Sequence, residues 1–194
     1  MLEIPVAKEA LVFFGHKNNP VDSLSAGEIR KIYSGQGLDY WSQLGGSEEK
    51  IIPYQRADKS QSQYHMRRDV MAGLDMIGVE AKYDRGADWY FWNPYTWRII
   101  EYKNYPNALG YCLRWTTIHS MFPSKMKNVK VFALNGVEPT EENIRQGLYP
   151  FSYDIVAEVS QDSSPEVKAL IKWLQSREGQ AYTRELGFVP YYAE

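Results

Sequence analysis

The chain has 194 residues, 44% hydrophobic and 24% charged, with a formal net charge of −2. That length carries one large domain or two small ones around a sizeable core. The near-neutral charge gives no electrostatic footprint for nucleic acid or an acidic membrane surface. A single cysteine, Cys112, excludes an intramolecular disulfide and any zinc site built from cysteine clusters. No run approaches the roughly 18 apolar residues that a membrane span needs. Met1-Leu-Glu-Ile-Pro5 has no charged leader before a long apolar stretch. The expectation is a cytoplasmic protein, or an exported one whose signal segment is not in this chain.

In chain order, Ala10–Phe14 is a continuous apolar run suited to a strand buried on both faces. His16–Pro20 is a turn. Ser25 with Glu28 three residues later forms a capping box, and Leu24 with Ile29 a hydrophobic staple. The helix that follows should bury Ile29, Ile32 and Tyr33 and end at Gly35. Tyr40-Trp41 anchors a loop. Lys50–Tyr54 reads as a short strand.

A polar turn holding Arg56, Asp58, Ser60, Gln61 and Ser62 comes next, and then a helix. Ser60 and Gln63 make a capping-box pattern, so the helix should begin at Ser60. Tyr64, Met66, Val70 and Met71 recur at roughly helical spacing, with Gly73 as the stop. A strand, a turn and a helix start bring free N–H groups and the positive end of the helix dipole to one place. Arg56 adds a planar charged fork suited to a tetrahedral oxyanion. Ser60 and Ser62 add hydroxyls. An ordinary strand–turn–helix junction with an Arg56–Asp58 surface pair fits the same letters.

Residues 75–107 read as a long irregular excursion, with Trp89–Trp97 covering core or lining a surface for a partner. Ala108–Trp115 and Val129–Leu134 read as strands, with Cys112 a small buried hydrophobe and Asn135-Gly136 a tight turn. Thr140 caps a short helix, Glu141–Gln146, and Phe151–Val159 is extended. Ser164-Pro165 opens a helix with Val167, Leu170, Ile171 and Leu174 on one stripe. A last helix spans about Gly179–Leu186. Strands alternating with helices give an α/β fold with a mainly parallel or mixed sheet.

Several of these segments, in this order, resemble the phosphate ABC-transporter substrate-binding protein family. Asn19–Ser25 and Glu28–Gly35 with Trp41 are similar to its "NPV-x-x-L-[ST]" stretch and the helix after it. Arg56–Ser62 resembles its "R-x-D-G-S-G-T" anion loop. Asn107–Tyr111, Asn135–Pro150 and Ser176–Pro190 resemble "N-A-I-G-Y", "N-G-V-x-P-T-x-E-N-I" and "S-x-E-G-Q … G-Y-V-P". The resemblance covers nearly the whole chain.

It implies a periplasmic-binding-protein-like type II fold: a mixed sheet flanked by helices, in two lobes that close on a ligand. Residues 9–150 would be the second lobe with the anion loop. Residues 151–194 would be the C-terminal part of a first lobe whose N-terminal part the chain lacks. It also implies an extracytoplasmic location, no catalysis, no cofactor, and as partners phosphate or a similar oxyanion and an ABC-transporter membrane permease. Arg56 would clamp the anion, Ser60 and Ser62 donate hydroxyls, and Gln61 contribute an amide. Asp58 would orient Arg56 or accept from protonated phosphate. Lys59 and Gln61 replace the two loop glycines, and Gln63 stands where an arginine often follows. An incomplete first lobe would leave the apolar faces of 151–190 to be covered by self-association or repacking.

The competing reading is a degenerate module without phosphate binding, acting in protein interaction or sensing. An enzyme is the weakest class. His16, His65 and His119 have no metal-ligand spacing, and no G-x-S-x-G elbow is present.

Overall fold

The computed structural model describes residues 1–80, 100–101, 105–118 and 127–192. They form two compact units, Leu11–Glu138 and Met1–Ala10 with Pro139–Glu194. The aromatic segment Trp89–Trp97 and His119 lie outside the described residues.

The apolar run at Ala10–Phe14 is the centre of a longer strand, β1 (Leu2–His16). Its first half was not legible because charges and Pro5 interrupt it. In the Leu11–Glu138 unit, β1 runs antiparallel to the strand Ala108–Leu113 (β5), with Leu11 opposite Leu113 and Phe14 opposite Gly110. It also runs antiparallel to Val129–Val131 (β6), with Phe14 opposite Val131. Ile52–Gln55 (β3) is parallel both to β5 and to Val79–Glu80 (β4). Ser23–Leu24 (β2) pairs in parallel with Ala133–Leu134 (β7). The sheet is therefore mixed and flanked by helices. Leu11–Phe14 are 0% exposed, as a strand covered on both faces requires.

The first helix, α1 (Ala26–Ser34), has the full capping box: Glu28 N–H donates to Ser25 Oγ, and Ser25 N–H to Glu28 Oε2. Ile29, Ile32 and Tyr33 are buried, and Gly35 ends the helix at φ 70°. Trp41 opens a short 3-10 turn (Trp41–Leu44), fully buried, with Nε1 donating to Asn107 O at 3.2 Å. Two strand expectations need correction. The strand expected through Trp115 stops at Leu113 and turns into a helix, α3 (Arg114–Ile118). The strand expected over Val129–Leu134 is broken at Phe132, whose ring packs against Gly15. A Cβ on Gly15 would stand 2.7 Å from that ring, so a larger residue there would require the ring to shift. Asn135-Gly136 makes the expected tight turn, both at positive φ.

In the other unit, residues 2–10 of β1 run between Ser152–Val159 (β8) and Val189–Pro190 (β9). The β8 register shifts between Pro5 and Ala7. The carbonyl of Val6 at that bulge accepts from Gln180 Nε2 at 2.9 Å. Gln180 is 2% exposed and also holds Leu174 O and Tyr192 N–H, so one amide ties three segments together.

The helices of this unit are α4 (Glu141–Arg145), α5 (Pro165–Gln175) and α6 (Arg177–Glu185). Thr140, Ser164 and Ser176 cap them. Arg184 makes a forked pair with Glu141. The α5 stripe departs from expectation. Only Ile171 is buried, whereas Val167 and Leu170 are 39% and 54% exposed. Periodicity fixes which face is apolar, not what covers it.

Candidate functional site

The candidate loop follows β3, and Arg56 is the first residue after the strand. Its backbone N–H donates to Gln63 Oε1 at 3.2 Å and to the Tyr111 hydroxyl at 3.3 Å. Tyr111 Oη in turn donates to Gln63 Oε1. Gln63 Nε2 donates to Gln55 Oε1 at 3.2 Å. Gln63 and Tyr111 are both 0% exposed. A buried amide thus joins the end of β3, the loop, the first helical turn and β5. Burial pushes the Tyr111 phenol up, opposed in part by the Arg56 N–H, so it stays protonated as the donor this arrangement uses.

Tyr33, from α1, stands edge-on to Tyr111 with ring centroids 5.4 Å apart. Its hydroxyl reaches the carbonyls of Tyr54 and Leu109, which brace β3 and β5 from beneath. Burial raises its pKa well above the usual phenol value too.

The helix begins where the sequence predicts. Ser60 is the N-cap of α2 (Gln61–His65), its Oγ accepting from Gln63 N–H at 3.1 Å. The capping box is only half made, because the Gln63 side chain turns to Arg56 and Tyr111 instead of back to Ser60. The α-helix continues as a π-helix over Met66–Met71, and Ala72 (φ 50°) with Gly73 (φ 91°) ends it. The wider π turn shifts the phase of the apolar stripe. Met66, Val70 and Met71 are buried, but Tyr64 is 50% exposed, contrary to the sequence reading. Arg30 Nε donates to Val70 O and ties the π-helix to α1.

The five predicted residues are placed as follows. Arg56 is buried, 4% exposed, carrying a permanent charge to the end of β3. Asp58 is exposed and paired with Arg67 at 2.7 Å, rather than with Arg56 as the first of its two expected roles would have it. Ser60 caps the helix. Gln61 runs along the helix, its Nε2 3.3 Å from His65 Nε2. Ser62 is buried with its hydroxyl 3.5 Å from Cys112 Sγ, so it faces β5 rather than a donor position at the loop. Cys112 is the buried small residue expected, 2% exposed.

Sequence reasoning missed two groups. One is Gln63 with Tyr111, read as a cap residue and a strand residue. The other is His65 with Asp69, whose i,i+4 spacing was the available signal. His65 Nδ1 lies 2.8 Å from Asp69 Oδ2, and Arg68 forks onto both carboxylate oxygens of Asp69. Burial raises the Asp69 pKa, but the bonds from Arg68 and His65 together outweigh it and hold the carboxyl below its ordinary value. Among the described residues no group of three or more His, Cys, Asp or Glu can hold a metal ion. Likewise, none of their helices is long and apolar enough to cross a membrane.

The sequence profile of the PBP superfamily domain matches residues 1–178. The chain belongs to this superfamily. Among solved structures, this PBP-superfamily chain is similar to a Clostridium perfringens protein assigned as a phosphate ABC transporter substrate-binding protein, with bound phosphate. The TM-score is 0.71 and the identity 24%, over 97% of this chain and 71% of that one. It is similar also to an ABC-type phosphate transport receptor from Vibrio cholerae (TM-score 0.70, 20% identity, 97% and 72%). A third is PstS from Borrelia burgdorferi (TM-score 0.69, 20% identity, 99% and 73%). At these identities the likeness establishes the fold. No curated protein sequence gives a match.

Proposed function

We propose that this chain is a non-enzymatic solute-binding domain for an oxyanion, phosphate foremost, in an ABC-type uptake system. Its place is outside the cytoplasm, and a membrane permease is its partner. In this reading residues 9–150 carry the anion loop, and residues 151–194 are the C-terminal part of the other lobe.

One observation carries the reading. A buried, permanently charged Arg56 stands at the end of β3, directly before a serine-capped helix start, in a PBP-superfamily chain. A guanidinium cannot shed its proton and presents a planar fork to a tetrahedral anion. Ser60 holds the helix start, and the N–H groups of Gln61 and Ser62, which no turn of helix precedes, are the donors available there. The side chains of Asp58 and Ser62 are engaged with Arg67 and Cys112, so the proposal rests on Arg56, Ser60 and main-chain donors. The fold shared with a phosphate-bound structure supports the choice of anion.

Isothermal titration with phosphate, with sulfate as control and Arg56→Ala alongside, tests this. Phosphate heat that vanishes in Arg56→Ala is the expected result. No heat with phosphate in the unaltered chain refutes the reading and favours a module that kept the fold without the ligand.

A further inference from the structure

Gln61 is the first residue of the helix, beside the main-chain donors that the proposed site uses. Its side chain does not extend over them. It runs toward the helix C-terminus and places Nε2 3.3 Å from Nε2 of His65, one turn on. His65 is 4% exposed, so this partner does not wander. The proton on the imidazole can be placed. Nδ1 is 2.8 Å from Asp69 Oδ2, and an ionised carboxylate at that distance only accepts, so Nδ1 carries the hydrogen. The approach of Arg68 Nη2 to the same nitrogen is long, 3.4 Å, and Arg68 spends its fork on Asp69. In the neutral ring Nε2 then holds a lone pair, which is what the Gln61 amide hydrogen needs. Tyr64 closes the outer side: its ring is edge-on to His65, and its hydroxyl accepts from Arg68 Nη1.

We propose that His65, oriented by Asp69, is a positioning residue that holds the Gln61 side chain back along the helix and so keeps the anion-binding loop open. This rests on the phosphate reading of the loop. A glutamine at the first helical position has three side-chain torsions and, when untethered, samples conformers that crowd the donors beside it. Binding then needs the fraction of conformers that leave them clear, and apparent affinity falls by that fraction.

The test is titration of phosphate into the wild-type chain, His65→Ala and His65→Ala/Gln61→Gly, with the His65 tautomer read by nitrogen-15 NMR. The expected result is about tenfold weaker phosphate binding in His65→Ala, corresponding to about one conformer in ten being clear. Recovery in the double variant, with the Nδ1-protonated neutral ring in the wild type, completes it. Binding unchanged in His65→Ala overturns the inference. So does a loss that Gln61→Gly does not rescue, which makes His65 merely structural, or a ring protonated on Nε2 instead. A wild-type chain that takes up no phosphate is recognised separately, since it overturns the reading of the loop itself and the inference with it.

Discussion

Replacing Gln63 with leucine isolates the buried polar junction beneath the loop. Gln63 Oε1 accepts both the Arg56 N–H and the Tyr111 hydroxyl, and Nε2 donates to Gln55. Leucine is of similar length and fills the space, so the packing term changes little. The Arg56 N–H keeps the Tyr111 oxygen at 3.3 Å as a second acceptor. The Tyr111 hydroxyl hydrogen keeps nothing that these contacts provide. Orphaning one buried donor costs about 1–3 kcal/mol, and weakening the shared Arg56 bond adds about 0.5–1 kcal/mol. Gln63→Leu should therefore lose roughly 2–3 kcal/mol.

Tyr111→Phe alone removes the same bond from the other side and leaves Gln63 Oε1 with the Arg56 N–H still on it, so it should cost about 1 kcal/mol. The double variant has no orphaned hydroxyl, but it takes both acceptors, Gln63 Oε1 and the Tyr111 oxygen, from the buried Arg56 N–H. The penalty passes from the hydroxyl to that donor, and the double loss should be close to the sum of the singles. Urea denaturation of the four proteins, read by tryptophan fluorescence, gives each difference from the midpoint provided the slope stays constant. A loss in Gln63→Leu no larger than that in Tyr111→Phe would mean that the leucine orphans no buried hydroxyl, and the account of the junction fails.

Three further outcomes follow from single contacts. The Asp69 carboxyl is held below its ordinary value, so its contribution to stability is present above the unfolded-state carboxylate range and is lost as pH falls through the folded value. Thermal melts between about pH 6 and pH 2 should show a shallower acid loss in Asp69→Asn than in the unaltered chain. In Gly179→Ala the added Cβ would meet Trp173 O at 2.1 Å, a backbone atom that cannot yield without moving α5 against α6. A loss of about 2 kcal/mol or more is expected in the same denaturation assay, and a neutral result would refute the close approach. Ser25→Ala removes the acceptor for Glu28 N–H at the start of α1 and should cost about 1 kcal/mol, with Ser25→Asp recovering most of it.

What was legible in the sequence is what neighbours along the chain decide. Ser25, Ser60, Thr140 and Ser164 all cap helices, because a cap is a contact over two or three residues and the letters hold both partners; the Ser176 cap, which starts the last helix at Arg177 rather than about Gly179, was missed. Asn135-Gly136 turns because those residues accept positive φ. What was not legible needed a partner far away. Ser60-x-x-Gln63 reads as a capping box, but Tyr111, 48 residues on, takes the Gln63 amide, while the Ser60 N–H that the box would use donates to the Ala57 carbonyl at 2.8 Å. The π turn at Met66–Met71 has no composition cue, and Tyr64, two residues and so about 200° from Met66 around the helix, faces the surface while Met66 is buried.

The same distinction separates the candidate residues. Arg56 follows a strand whose burial the sequence implies, and it is buried. Asp58, Gln61 and Ser62 had their directions assigned from a loop pattern, and each side chain turns instead to what stands beside it: Arg67, His65 and Cys112. A motif fixes where the main chain goes. The side chains that its positions leave open follow the local field, so the loop's two departures from glycine call for different explanations. Lys59 is exposed, and solvent accommodates its ammonium at no steric expense. Gln61 sits beside the donors, where a long side chain is compatible with an open loop only if something holds it, and His65 one turn further on supplies the acceptor that does so.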